Sequence, residues 1–249
     1  MIPNLSLNLG SIRITPLLWS LIIATILASF SFWRQLKEDY KEEVIFKITL
    51  FALVSGLFFS RLLFVLLNLG EFGLSFRNFF TLNYLNNFYF AGGLVGVVLA
   101  IRWQVKRNKG NVWEVLDALV ISFLCCLILV SVGFFLTRGN RWDLVYLGVG
   151  VAGFILYSLS QKNYRSFSWY KSGKTGFLFT FFGLIYSLVF LGLAFLKNDA
   201  LYLYRFLWLF LALASVGALY YRSERDLKED FNNLFKGRTR FHPPASESR

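Results

Sequence analysis

The sequence predicts an all-α integral membrane protein with seven transmembrane helices, its N-terminus outside and its C-terminus in the cytoplasm. Three observations predict this fold: seven apolar runs, a basic bias in alternate loops, and aromatic residues near the run ends. Each run approaches the roughly 20 residues that a helix needs to cross about 30 Å of hydrocarbon. The runs lack the alternation of barrel strands, so helices are expected. The runs are residues 16–33, 44–67, 88–103, 115–137, 142–160, 175–196 and 203–221.

The composition is that of a membrane protein. Hydrophobic residues make up 56% of the chain and charged residues 16%, against about 25% charged in an ordinary soluble domain. Aromatic residues such as Trp19, Trp33, Trp103 and Trp142 stand near run ends, where such rings anchor at the headgroup level. We therefore expect one membrane domain over residues 1–221, followed by a partly disordered cytoplasmic tail over 222–249.

The net charge of +12 is unevenly distributed. Nineteen of the 26 Lys and Arg residues fall in alternate segments, four in each of 34–47, 102–109 and 162–174 and seven in 222–249. Because basic loops stay in the cytoplasm, this bias predicts the orientation of the termini. Attraction to anionic lipid accounts for the charge, so no nucleic-acid partner is expected.

Three further features, namely the first apolar run, the segment before the third run and the two cysteines, are interpreted without assigning them a chemical function. Run 16–33 is too long for a signal-peptide core and is followed by RQLKEDYKEE, so it is interpreted as a retained span. Residues 69–87 are rich in Phe and Leu but too polar for a span, which predicts an interfacial or re-entrant element; a plain amphipathic loop fits equally well. Cys125 and Cys126 are expected to be core residues. We expect no metal and no cofactor.

Arg61 lies inside the second run, in GLFFSRLLFVLL. A charge at membrane depth costs a few to more than ten kcal/mol unless it faces protein, a cavity or a lipid phosphate. Arg61 is therefore a candidate phosphate ligand, and a structural pair or a snorkelling side chain is the alternative. From Val44, at the inner end of the helix, to Arg61 the helix rises about 26 Å, whereas Asp117 starts its span at the cytoplasmic side. A direct pair of Arg61 with Asp117 is therefore not expected, and Asp143, Glu71 or a lipid phosphate is the expected partner.

Glycines in two spans suggest close helix packing. Gly92 and Gly93 in FAGGLVGVV would allow a neighbouring backbone or a bound lipid to approach closely. Asp117, at the start of its run, is expected to pair with Lys106 or Arg107 and to favour the helix N-terminus. The other glycines with the packing interpretation are Gly96, Gly148, Gly150 and Gly153.

These residues, in this order, resemble the bacterial phosphatidylglycerol–prolipoprotein diacylglyceryl transferases, seven-span enzymes that move diacylglycerol from a phospholipid to a lipobox cysteine. The resemblance covers roughly residues 9–221. LGSIRI resembles the family's opening Gly-x-x-x-Ile, and SRLLFVL resembles its Gly-Arg-Ile-x-Tyr-Val-Leu, with Arg61 at the arginine. FAGGLVG resembles Phe-His-Gly-Gly-Leu-x-Gly, and GKTGFLFTFFGLIYSLVFLGLAF resembles the penultimate span.

The chain departs from the family where the family's chemistry lies. Ala91 replaces the histidine before the Gly-Gly pair. The only histidine, His242, lies in the predicted cytoplasmic tail. In the signature Gly-Arg-Leu-Gly-Asn-Phe-x-Asn-Gly-Glu, an ungapped placement matches only Gly133 and Phe135. The other family positions hold Ser131 for arginine, Phe134 for asparagine, Gly139 for glutamate, Tyr186 and Phe190 for arginine and glutamate, and Thr15 and Leu17 for the N-terminal histidine or arginine and the tyrosine.

The resemblance implies a divergent transferase that uses phosphatidylglycerol and a prolipoprotein signal peptide in the bacterial cytoplasmic membrane. Transfer needs a neutralised phosphate leaving group and an activated thiol. Two alternatives stay open: a catalytically inactive family scaffold that binds lipid or lipoprotein, and an unrelated seven-span transporter or receptor. No catalytic residue is assigned. The lipid-binding candidates are Arg61, Gly92, Gly93 and Gly133, with Arg138, Arg141 and Ser131 as weaker candidates near the outer mouth.

Overall fold

The protein is a helical bundle preceded by a short hairpin. A computed structural model describes residues 7–9, 12–69, 89–167, 170, 172–197 and 202–224. The strands β1 (Leu7–Leu9) and β2 (Ile12–Ile14) pair in antiparallel register, a feature that the all-α prediction did not include. The described helices are α1 (Pro16–Leu36), α2 (Glu42–Leu67), α3 (Phe90–Arg107), α4 (Val112–Arg138), α5 (Arg141–Asn163), α6 (Phe177–Leu196) and α7 (Tyr202–Ser223), with a 3₁₀ turn at Tyr164–Ser166.

The all-helical prediction is confirmed, and six of the described helices are long and apolar enough to span a membrane. The exception is α3, which has 18 residues and ends in a turn carrying Lys106 and Arg107. A seventh span at α3 therefore stays a prediction. The expected outer element at 69–87 and the expected tail at 222–249 fall largely outside the described residues.

Most helices begin or end beyond the apolar runs that predicted them, because polar residues cap them. The Thr15 hydroxyl accepts a hydrogen bond from the Leu18 amide, and Pro16 follows at the first helical position. Asn111 and Asn140 cap α4 and α5 in the same way, each side-chain oxygen accepting from a backbone amide. Hydropathy identifies residues that prefer lipid, whereas backbone hydrogen bonds continue to the cap.

Helix α4 is the centre of the bundle. It packs extensively against α1 and α5 and also contacts α3 and α6. Two further tight pairs, α2 with α3 and α6 with α7, complete the arrangement. Large side chains such as Ile26, Phe46 and Leu196 are 61%, 69% and 71% exposed, as expected for surfaces that face lipid rather than water.

The basic loops meet at one end of the bundle. The Asn111 amide donates to the Tyr40 hydroxyl at 2.9 Å, and the Asn111 side chain donates to the Thr175 hydroxyl at 3.2 Å. The Ser172 hydroxyl donates to the Arg222 carbonyl at 2.6 Å, and Lys174 pairs with Glu224. Segments that the charge bias placed on one side of the membrane thus share one end of the fold, called here the basic end.

Candidate functional site: a buried arginine, an aromatic cluster and an interhelical cavity

Glycines bring α2 and α3 into backbone contact. A Cβ atom placed on Gly96 would lie 2.5 Å from the Ser55 carbonyl oxygen. One placed on Gly92 would lie 2.6 Å from the Phe59 carbonyl oxygen. These distances leave no room for a side chain, so both glycines are required for the close approach. The packing interpretation of Gly92 and Gly96 agrees with this geometry.

Hydrogen bonds reinforce the same interface. The Ser55 hydroxyl donates to the Gly96 carbonyl at 2.8 Å. The Ser60 hydroxyl donates to the Tyr89 carbonyl at 2.9 Å, and the Tyr89 amide donates to the Ser60 carbonyl at 3.2 Å. Gly93 faces Gly56 and Ser60 across the interface. These contacts fix the start of α3 beside the second half of α2, next to Arg61.

Arg61 points into protein rather than into lipid. Its side chain is only 3% exposed, and its guanidinium carbon lies 5.4 Å from the centroid of the Phe64 ring. The attraction of a cation to an aromatic face offsets part of the desolvation of the charge. Arg61 lies six residues before Leu67, at the end of α2 that is opposite the basic end. Six residues make slightly less than two helical turns. Of its predicted partners, Glu71 lies outside the described residues.

An aromatic cluster extends from Arg61 across the bundle. Phe64 contacts Tyr89, and Tyr89 stacks on Tyr204 of α7 with centroids 4.9 Å apart. Rings from α3, α4, α5, α6 and α7 continue the network towards Lys197, which lies 4.9 Å from the Tyr146 ring. The cluster lies between Arg61 and the part of the bundle nearer the basic end. Its members are Phe64, Tyr89, Phe90, Phe123, Tyr146, Tyr186, Phe190, Tyr204 and Trp208.

Between this cluster and the basic end lies a cavity of about 780 Å³. Its walls come from α3, α4, α6 and α7, and they are mainly apolar. Trp208 and Tyr186 close one end, whereas Arg102, Lys106 and Asn111 lie at the other. The volume falls within the roughly 300–1,000 Å³ typical of small-molecule sites. Arg61 does not line this cavity, so the predicted phosphate ligand and the cavity are separate features.

The remaining candidates take different places. Gly133 packs on α1, since a Cβ there would lie 1.7 Å from the Ser20 hydroxyl oxygen. Ser131 is buried, and its hydroxyl donates to the Leu127 carbonyl at 2.6 Å. Arg138 and Arg141 are exposed on either side of Gly139, the left-handed residue between α4 and α5. The guanidinium carbon of Arg138 lies 4.4 Å from the Phe134 ring centroid.

The family model described as prolipoprotein diacylglyceryl transferase matches residues 8–141, which is more than half of the chain. This chain belongs to the prolipoprotein diacylglyceryl transferase family. The assignment removes the alternative of a transporter or receptor unrelated to the family. The comparison with curated proteins finds no match.

Three residues that the sequence resemblance aligns with the family's chemical positions take part in packing here. Ala91 is fully buried. Phe190 stacks on Trp208 with centroids 4.9 Å apart. The Tyr186 hydroxyl donates to the Val149 carbonyl at 3.0 Å and occupies the space beside Gly153. Because these three residues are buried and uncharged, the centre of the bundle is drier than it would be with charged residues at these positions.

Asp117 has a different role from the predicted pair with Lys106 or Arg107. Its carboxylate accepts hydrogen bonds from the Gly176 amide at 2.6 Å and the Phe179 amide at 2.8 Å. It therefore caps α6 rather than its own helix. Arg222 donates from Nε to the Thr175 carbonyl at 2.9 Å and adds a positive charge near the cap. The link to α6 joins distant segments, which no local sequence signal could indicate.

Lys197 is a residue that the sequence reasoning did not single out. It packs over Trp142 and Tyr146 and interacts electrostatically with Asp143, a buried residue. The Oδ2 atom of Asp143 has no hydrogen-bond partner among the described residues. The sequence signal that could have identified Lys197 was its position as a single lysine directly after the apolar run 175–196. Among the described residues, no group of three or more His, Cys, Asp or Glu side chains could hold a metal.

Proposed function

We propose that this protein is a divergent prolipoprotein diacylglyceryl transferase of the bacterial cytoplasmic membrane. Its donor would be phosphatidylglycerol and its acceptor the lipobox cysteine of a prolipoprotein signal peptide. The observation that carries this proposal is the burial of Arg61, 3% exposed, at the family's arginine position. Family membership supplies the substrate classes.

The chemistry gives Arg61 a defined role. The cysteine sulfur forms a bond to the terminal glyceryl carbon of the diacylglycerol unit, and the bond from that carbon to the phosphate oxygen breaks. Glycerol phosphate leaves with the electron pair, and the thiol proton passes to a base. A guanidinium can bind two phosphate oxygens at once and so stabilise the charge on the leaving group. A low dielectric around Arg61 strengthens this interaction.

The proposed orientation places Arg61 towards the outside. Because basic loops remain cytoplasmic, the basic end would face the cytoplasm and the opposite end of α2 would lie in the outer half of the membrane. Phosphatidylglycerol from that leaflet and the signal peptide of an exported protein would then reach the same end of the bundle. The hairpin β1–β2 precedes α1 at this end.

A transfer assay tests the proposal. Purified full-length protein is incubated with phosphatidylglycerol that carries a labelled diacylglycerol unit and with a lipobox peptide. We expect label to move to the peptide, because Arg61 neutralises the leaving phosphate. A peptide with serine in place of the lipobox cysteine is the matched control and should remain unlabelled. Absence of transfer to the cysteine peptide would contradict transferase activity.

A second candidate function is a family scaffold that binds lipid or lipoprotein without catalysis. The observation that favours it is the aromatic cluster, which fills the positions of the family's replaced polar residues with Tyr186 and Phe190. This candidate predicts no transfer together with saturable binding of phosphatidylglycerol. The transfer assay and a binding titration on the same preparation therefore separate the two functions.

A further inference from the structure

The cavity is longer than a pocket for a compact solute. Along α3 its wall runs from Leu94 to Lys106. At about 1.5 Å per residue these twelve steps rise about 18 Å, slightly more than half of the roughly 30 Å hydrocarbon thickness. The cavity therefore extends through about one leaflet, from the basic end to the aromatic cluster.

The wall chemistry is graded along this length. Deep residues such as Val120, Phe182 and Trp208 are buried and apolar. On α7 the facing residues Ala214 and Ser215 are small and leave the space open. At the basic end the cations are Arg102 and Lys106, and the described lining includes no Asp or Glu.

A shallower depression adjoins the cavity on the outside of α3. It shares Arg102 and Lys106 and adds Trp103 and Arg107. Trp103 is 51% exposed, as is usual for a tryptophan at the headgroup level. The cations therefore stand where apolar wall gives way to the membrane interface.

We propose that this cavity binds an anionic glycerophospholipid from the leaflet on the basic side, with an acyl chain between α3 and α7 and the phosphate at Arg102 and Lys106. Two cations without an acid in the lining complement a phosphodiester and disfavour a neutral or cationic headgroup. The apolar length of the cavity matches a chain that enters from the same leaflet. This lipid is separate from the proposed transferase donor at Arg61 and does not depend on transferase activity.

Native mass spectrometry of the full-length protein, titrated with phosphatidylglycerol or phosphatidylcholine, tests the proposal. The charge variant R102Q/K106Q should bind phosphatidylglycerol at this site about tenfold more weakly, because two cations near the interface are lost. The matched control R34Q/K37Q removes the same charges from the end of α1 and should change binding less than twofold. Equal losses in both variants would overturn the site in favour of general surface attraction.

A second pair of variants tests the acyl-chain part. Ala214→Phe places a ring in the cavity and should remove the bound lipid, whereas Leu213→Phe on the exposed side of α7 should not. If phosphatidylcholine binds as tightly as phosphatidylglycerol, the proposed preference for an anionic headgroup is contradicted. If the protein without lipid forms a dimer and Ala214→Phe dissociates that dimer, the occupant of the cavity is a second copy of the chain and the proposal is overturned. Arg61→Leu should leave lipid binding at this cavity unchanged. The test of the cavity lipid can therefore fail or succeed independently of the proposed transferase function.

Discussion

The two faces of α3 show how one helix can close one interface and leave another open. Towards α2, Gly92 and Gly96 let backbones touch, and Ser55 bonds across the contact. Towards α7, the same helix presents Leu94 and Val98 to a cavity. The first face is a packed interface and the second a potential binding surface.

The difference is explained by what lies between the helices. On the open face, Tyr89 stacks on Tyr204, and Phe90 lies over Trp208 with centroids 6.3 Å apart. These rings set the separation of α3 and α7 at one end of the bundle. Small residues such as Ala214 cannot fill the resulting gap further along. A stripe of small residues thus closes an interface only where no large side chain holds the helices apart.

The largest expected effect is at the packed face. Gly96→Ala places a methyl group 2.5 Å from the Ser55 carbonyl oxygen, and this backbone atom can move only with its helix. We expect the free energy of unfolding to fall by about 1–3 kcal/mol, the usual range for overpacking. Thermal or denaturant unfolding in detergent would measure it.

Gly148→Ala is the matched control, because a Cβ placed there has no atom of the described residues within 4 Å apart from its chain neighbours and its own helix backbone. It should be neutral or slightly stabilising, since alanine favours helix more than glycine does. Equal stability of the two variants would break the contrast between packed and open glycines.

A smaller effect is expected from the hydrogen bond across the packed face. Ser55→Ala removes the donor to the Gly96 carbonyl, and such bonds in membrane proteins average about 0.6 kcal/mol. Ser215→Ala on the open face provides the control and should leave the unfolding free energy unchanged. Similar losses in the two variants, measured by the same unfolding titration, would show that the open face is also stabilised by interhelical bonding.

The fold was largely predictable because hydropathy and loop charge are local signals. Each of the seven runs corresponds to a described helix. The hairpin β1–β2 was missed because its strands have only three residues each. The orientation of the termini stays a prediction, since the geometry groups the basic loops at one end without placing a membrane.

The site was less predictable because it depends on contacts between distant segments. Burial of Arg61 followed from the cost of a charge in an apolar span. The cap that Asp117 provides for α6 joins residues about 60 positions apart, and the cavity depends on the spacing of α3 and α7. From sequence alone, Lys197 and Arg102 are only charged residues in a loop or at a helix end. The aromatic rings beside Lys197 and the apolar cavity beside Arg102 become visible only in the structure.

Binding of phosphatidylglycerol to Arg61 variants tests the central claim most directly. The measurement uses native mass spectrometry in the R102Q/K106Q background, so that the cavity lipid does not obscure the Arg61 site. We expect Arg61→Lys to weaken binding severalfold, because the bidentate contact is lost. Arg61→Leu should weaken it by about tenfold or more, since the charge is also lost, while the unfolding transition shows an intact fold. If Arg61→Leu binds phosphatidylglycerol as well as its parent does, Arg61 is not a phosphate ligand and the account is contradicted.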